Sequence, residues 1–472
     1  MSRLRLAAAV STVSIAAGVT ALLVVPSAAA SPALTWKDCA KDVQCATLTV
    51  PLDWRRGGAT IGISLARRAA TGNKIGTIVY LPGGPGDSGV QQLKAGPKVS
   101  PEVAERFDVI SLDPRGVNES SPIRCDPAVI GGIPDVNPDT GAKYADIMAY
   151  SRKLADSCQA RTGDTINHID SADVARDVDA LRAALGERQI SVYSRSYGTL
   201  AAQMYAELFP GRVRAMVLDS VFDHSLDTRE FLASAVRAAE DSFNAFAKWC
   251  AGSENCVLRG QDVSALFDDL YRRAERGELT EPSDPARKIS ATELSWTTMR
   301  RGFYNPSWKE LSVRLAELAG QRPPTPAQQM PQTDFFPSAV LCADNRFRFR
   351  SEQEWTRTWD ELKRIAPVMR THMAWQGVSF CAGWPLPTTN PQHRPGIKAP
   401  VLILSSRHDP ATPLEWAADV HRMIPGSALV TYEGSGHGVF LRNDCTKAAT
   451  SRYFLDRVLP APGTSCPGSD PA

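Results

Sequence analysis

Gln189-Ile-Ser-Val-Tyr193, Ser194-Arg195-Ser196-Tyr197-Gly198 and Thr199-Leu-Ala-Ala-Gln-Met-Tyr-Ala-Glu-Leu208 stand end to end as a β-type run, a tight turn and a helix-like run. A strand, sharp turn and helix is the setting in which Gly-x-Ser-x-Gly carries a serine nucleophile, because the turn strains the serine backbone and lifts its hydroxyl clear of the sheet. Ser196 is therefore the candidate nucleophile. Ser194 stands where that pattern has glycine. The position must be small because strand and helix backbones nearly touch there, and serine is small.

Outward from this turn, strand and helix signals alternate, which predicts an α/β fold with a mostly parallel central sheet flanked by helices on both faces. The expected strands are Ala46 to Pro51, Ile61 to Ala66, Ile75 to Leu81, Phe107 to Leu112, Gln189 to Tyr193, Arg214 to Asp219, Val401 to Ser405 and Ala428 to Tyr432. Val174, Val178, Leu181 and Leu185 recur at helical spacing, so a helix is expected from Ser171, as its cap, to Gly186. Alternation lapses from Phe222 to Ile397, a mainly helical stretch that holds Trp296, Trp308, Trp355, Trp359, Trp375 and Trp384 and is broken by the proline-rich run Arg322 to Pro331. It reads as an inserted lid whose tryptophans form its core. The chain thus divides into a leader (1–30), a first core part (31–221), the lid insertion (222–397) and a second core part (398–472).

With 472 residues, 43% hydrophobic and 22% charged, the chain is too long and too apolar to be disordered. A formal net charge of +2 gives no electrostatic case for nucleic acid. Arg3 and Arg5, the apolar run Leu6 to Val25 and the small residues Ala28-Ala29-Ala30 read as a secretory signal cleaved after Ala30. The competing reading is an uncleaved membrane anchor. No later segment is apolar enough to span a bilayer, so a secreted protein is expected. The 10 cysteines fit an oxidising compartment. Short closures pair neighbours: Cys39 with Cys45, Cys125 with Cys158, Cys250 with Cys256, Cys342 with Cys381 and Cys445 with Cys466. Zinc would need Cys-x-x-Cys pairs or clustered histidines, and the sequence has neither.

Acyl transfer by a serine needs a base for its proton, an acid to orient that base, and donors for the oxyanion. In strand-turn-helix enzymes the chain order is nucleophile, acid, histidine. After Ser196 come Asp409, beyond the strand Val401 to Ser405, and His437, just past the last strand. Both lie at carboxyl ends of strands, where open parallel sheets collect their sites. Glycines 436 and 438 place His437 on a flexible loop able to swing over Ser196. Asp219 is the alternate acid; its other role would be to bind nearby loop amides. The oxyanion donors are the N–H of Tyr197 and that of Gly83 or Gly84, since Pro82 and Pro85 have none. Gly84-x-Gly86-x-x-Gly89 matches a dinucleotide fingerprint, but Pro85 and Asp87 would set a rigid ring and a negative charge against a pyrophosphate. Gly86-Asp87-Ser88-Gly89 is like the nucleophile segment of chymotrypsin-type proteases, whose all-β barrels do not fit this alternation; Ser88 is expected to cap a helix or bind backbone.

Taken together, Trp36-Lys-Asp-Cys39, Gly83-Gly84-Pro85-Gly86, Asp113-Pro-Arg-Gly116, Ser196-Tyr197-Gly198-Thr199, Cys381-Ala-Gly-Trp384, Asp409-Pro-Ala-Thr-Pro413 and Gly436-His437-Gly438 make the chain resemble secreted α/β-hydrolases of the prolyl and tripeptidyl aminopeptidase family. It departs from that family at Ser194, Pro82 and Val117-Asn118-Glu119. The resemblance implies a serine exopeptidase acting on peptides with a free amino terminus, without metal or organic cofactor. An exopeptidase of this kind holds the substrate ammonium with a lid carboxylate, for which Asp344 is the candidate. The rival readings are an esterase or lipase of the same fold and a non-catalytic binding module.

Overall fold

The structure, a computed structural model, describes residues 34–325, 333, 335–469 and 471 of the chain. The leader reading for residues 1–30 and most of the proline-rich run lie outside the described residues. The strands are β1 (Lys37–Ala40), β2 (Val43–Pro51), β3 (Thr60–Arg68), β4 (Gly76–Leu81), β5 (Phe107–Leu112), β6 (Ile190–Arg195), β7 (Val213–Asp219), β8 (Thr280–Glu281), β9 (Asp284–Lys288), β10 (Val401–His408), β11 (Ala428–Ser435) and β12 (Ser465–Cys466). All but β8 and β9 form one 10-stranded sheet in the order β1-β2-β3-β5-β4-β6-β7-β10-β11-β12. Pairing is antiparallel from β1 to β5 and parallel from β5 onward.

The central strands are apolar runs because both their faces are covered: Ile78 to Leu81 and Val401 to Leu404 are each no more than 1% exposed. β6 lies mid-sheet between β4 and β7, with Ser194 level with Leu81 on one side and Leu218 on the other. Its carboxyl end therefore opens among the carboxyl ends of β4, β7, β10 and β11, where loops from every neighbour can meet. The helix expected from Ser171 runs Ser171–Ala184, but its cap is Asp170, whose carboxylate accepts the Asp173 N–H at 2.8 Å.

The chain leaves the sheet after Asp219 and returns at Val401, which pairs with Met216 of β7. Between them lie helices, among them Thr228–Gly252, Val263–Glu275, Glu352–Ile365 and Met373–Gly383, and the separate hairpin β8–β9. Trp355 and Trp375 stack with ring centroids 5.5 Å apart, Trp359 lies 5.3 Å from Trp375, and all three are buried. Their indole N–H groups donate to Ser379, Val136 and Asp139, so each buried ring has its polar edge satisfied. These rings are packing. Trp296, at 37% exposed, is not.

Five disulfides join Cys39–Cys45, Cys125–Cys158, Cys250–Cys256, Cys342–Cys381 and Cys445–Cys466, the same neighbour pairs that short closure gives. No helix among the described residues is long and apolar enough to cross a membrane.

Candidate active site

The turn after β6 has the strain that its sequence demands. Ser196 sits at φ 56°, in the left-handed region that a serine adopts only when its surroundings impose it. Its N–H is held by the Asp219 carbonyl at 2.9 Å, and its side chain is half-buried rather than enclosed. A close approach of strand and helix falls at Gly198. A Cβ on Gly198 would lie 2.6 Å from the Leu81 carbonyl oxygen, backbone against backbone. Ser194 fits because its hydroxyl turns sideways and donates to Val217 O at 3.0 Å.

Gly83 borders the nucleophile directly: a Cβ there would come within 2.8 Å of Ser196 Cβ and 3.3 Å of its Oγ. Among the described residues, the N–H groups of Tyr197 and Gly83 have no acceptor. Ser88 caps the helix Gly89–Ala95 that leaves this turn and donates to Asp113 Oδ1 at 2.5 Å. Arg115 of the Asp-Pro-Arg-Gly run is fully buried, paired with both oxygens of Asp177 at 2.6 and 2.7 Å, and serves the scaffold.

Asp409 and His437 come together as the chain order requires. His437 Nδ1 lies 2.9 Å from Asp409 Oδ1 and 3.0 Å from Oδ2. The acid is fixed in turn by the N–H groups of Ala411 (2.9 Å) and Thr412 (3.0 Å) and by the Ser220 hydroxyl (2.7 Å). Burial alone would raise the Asp409 carboxyl, but the His437 imidazole and the Thr412 and Ala411 N–H groups outweigh it and hold it below its ordinary range. On the other side of the ring, His437 Nε2 is buried and has no hydrogen-bond partner among the described residues. Ser196 Oγ is not hydrogen-bonded to it; a nucleophile–base bond is commonly formed or tightened only in the Michaelis complex.

Asp219 does not touch the imidazole. It accepts the N–H groups of Val439 at 2.7 Å and Phe440 at 3.0 Å and the Tyr193 hydroxyl at 2.9 Å, with burial raising its carboxyl. Its carbonyl holds Ser196 and its carboxylate holds the histidine loop, so one residue ties the two together. Nor is that loop free to swing. Arg195 Nη2 donates to His437 O at 2.6 Å, the His437 N–H to Tyr304 O at 2.8 Å, and the Gly438 N–H to Ser220 Oγ at 2.8 Å. Arg195, Ser220 and Tyr304 were not singled out from the sequence. The unspecified letter of the turn, a residue just before the insertion and one deep within it carry no sequence pattern that marks them.

Asp344 is corrected by its surroundings. It is 0% exposed, and its two oxygens already take the N–H and Oγ of Ser171, the Asn390 amide and the Tyr197 hydroxyl, which leaves no face for a substrate ammonium. Burial and the neighbouring Asp170 push its carboxyl up to about 7. His408, next to the acid, points away from the site to Asp241 at 2.8 Å.

Residues 76–444 match the family model of the α/β-hydrolase fold. Serine protease Hip1 of Mycobacterium tuberculosis is 32% identical, over 89% of this chain and 87% of that one. Tripeptidyl aminopeptidase of Streptomyces coelicolor is 30% identical, over 93% and 86%. Carboxylesterase B of Mycobacterium tuberculosis is 31% identical, over 92% and 90%. With the sheet order, the strained Ser196 turn and these matches together, the chain belongs to the α/β-hydrolase fold family and is a serine hydrolase of that fold.

Proposed function

We propose that the protein is a secreted exopeptidase that removes short peptides or single residues from free peptide amino termini, with Ser196, His437 and Asp409 as its catalytic residues. The observation that carries the reading is the histidine: Nδ1 fixed on a buried carboxylate and Nε2 left without a partner. Ser196 Oγ attacks the scissile carbonyl as its proton passes to Nε2, and the oxyanion is held by the N–H groups of Tyr197 and of Gly83 or Gly84. The C–N bond breaks and the leaving amine takes the proton from Nε2. Water then attacks the acyl-enzyme, gives its proton to Nε2, and the acid product leaves as Ser196 recovers its own. The helical segment 222–397 acts as a lid over this centre. The name of the tripeptidyl aminopeptidase relative supports peptides with a free amine as substrates. The five disulfides support export.

The carboxylesterase relative favours a second reading, ester hydrolysis by the same residues. A panel of mono-, di- and tripeptidyl amides with free or blocked amines, alongside matching esters, decides between them. Turnover of free-amine amides that blocking abolishes is the expected result; turnover indifferent to blocking removes the exopeptidase. Ser196→Ala is expected to abolish hydrolysis and labelling by a fluorophosphonate, and retained turnover would overturn the assignment of the nucleophile.

A further inference from the structure

Asp344 closes the helix Ala339–Asp344, inside the segment between β7 and β10 and two residues beyond the Cys342–Cys381 bond. Its carboxylate gathers three distant stretches of chain. Ser171, at the start of the helix Ser171–Ala184, donates its N–H at 2.9 Å and its hydroxyl at 2.7 Å. Asn390 donates its amide at 2.8 Å, and the Tyr197 hydroxyl donates at 2.8 Å. The Asp344 carbonyl is itself bonded to His224 Nε2 at 2.7 Å. Tyr197 directly follows Ser196, and its buried ring packs edge-on against Phe222 at 5.1 Å. Ring and hydroxyl are thus gripped at opposite ends of one side chain, while the backbone N–H of the same residue has no acceptor among the described residues.

We propose that Asp344 is a positioning residue: through the Tyr197 hydroxyl it fixes the peptide plane between Ser196 and Tyr197, and so aims the Tyr197 N–H at the oxyanion. This rests on the reading of Ser196 as nucleophile. Burying a carboxylate against a tyrosine hydroxyl is a costly way to fill space that a phenylalanine would fill by apolar contact alone. The arrangement makes sense as aim, because an oxyanion donor contributes only when it is already in place as charge develops. It also makes the segment between β7 and β10 a mechanical support of the site.

Tyr197→Phe, Asp344→Ala and Asp344→Asn test this. Tyr197→Phe and Asp344→Ala each cut the tether, and kcat of the folded protein is expected to fall about 10- to 100-fold, the range for a displaced group, with KM within about threefold. The fluorophosphonate labelling rate of Ser196 should fall in parallel. Asp344→Asn can keep the tether: its carbonyl oxygen takes the Ser171 and Asn390 N–H groups, and its amide donates to the Tyr197 and Ser171 hydroxyls, which can turn to accept. Its kcat is expected within about threefold of the parent. Unchanged kcat and labelling rate in folded Tyr197→Phe would overturn the proposal, as would an Asp344→Asn protein as slow as Asp344→Ala. If Asp344→Ala does not fold, Tyr197→Phe decides alone. Failure of the nucleophile reading shows separately, as hydrolysis by Ser196→Ala.

Discussion

Asp409→Asn separates the orientation of the histidine from the integrity of its loop. Asp409 Oδ1 accepts the main-chain N–H groups of Ala411 and Thr412 at 2.9 and 3.0 Å, and these donors cannot reverse. An asparagine must therefore put its carbonyl oxygen there and its NH2 in the place of Oδ2. That place faces the hydroxyls of Ser220 at 2.7 Å and Thr412 at 3.3 Å, which can turn to accept, so the fold is expected to survive. The carbonyl oxygen is already occupied by two main-chain N–H groups, so His437 Nδ1, 3.0 Å from the NH2 position, would then accept from the amide. The ring proton moves to Nε2, and no lone pair remains for the Ser196 proton. The same substitution in another serine triad lowers kcat about 10⁴-fold, equivalent to about 5 kcal/mol on the barrier, and that loss is expected here with KM little changed. Steady-state hydrolysis of a free-amine peptidyl amide measures it, with circular dichroism confirming a parent-like melting curve. A folded D409N protein within about tenfold of the parent kcat would refute the reasoning and point to another orienting group.

Asp219→Ala is expected to fail in the opposite manner. It strands the buried N–H groups of Val439 and Phe440, lowering stability by at least about 2 kcal/mol and loosening the histidine loop, which urea unfolding detects. An unchanged unfolding midpoint would contradict the clamp. The buried histidines set a pH dependence: desolvation lowers both His224 and His372 from 6.5 to about 4. As pH falls, the unfolded chain takes up these protons near its own pKa while the native chain does not. The stability they confer is therefore full above pH 6.5 and is lost as pH falls toward 4, roughly 3 kcal/mol for each histidine. His372→Asn keeps a cap for the Ala374 N–H, so it should remove about one proton of that slope in unfolding free energies measured between pH 7.5 and 5. An identical slope in the variant would refute the shift.

Local signals carried the central strands and the three proposed catalytic positions, because a two-sided buried strand leaves an apolar run and a strained turn leaves small residues around a serine. β1, by contrast, is exposed along its whole length and leaves no hydrophobic pattern, and β12 and the β8–β9 hairpin are too short to show one. The cap at Asp170 rather than Ser171 was a choice between adjacent residues that both cap well. Asp344 marks the real limit. Its neighbours Ser171, Tyr197 and Asn390 come from three separate regions of the chain, and nothing near it in sequence distinguishes a carboxylate awaiting a ligand from one already saturated. At Asp219 the expected role of binding loop amides is the one it plays, but which loop it holds is not legible, since Val439 and Phe440 lie more than two hundred residues downstream.

The excursion from the sheet begins and ends on touching strands, with Asp219 and Leu404 side by side across the join. Such a seam invites exchange: a foreign cassette placed between β7 and β10 would meet the same pair of adjacent strand ends. Beyond the Ser220 hydroxyl, which must be kept at the edge of the cassette, two borrowed contacts at the site set the terms of any chimera. The newcomer must offer a carbonyl where Tyr304 meets the His437 N–H and an acceptor where Asp344 meets the Tyr197 hydroxyl. A transplant lacking them would bring new substrate walls to machinery that had lost its alignment.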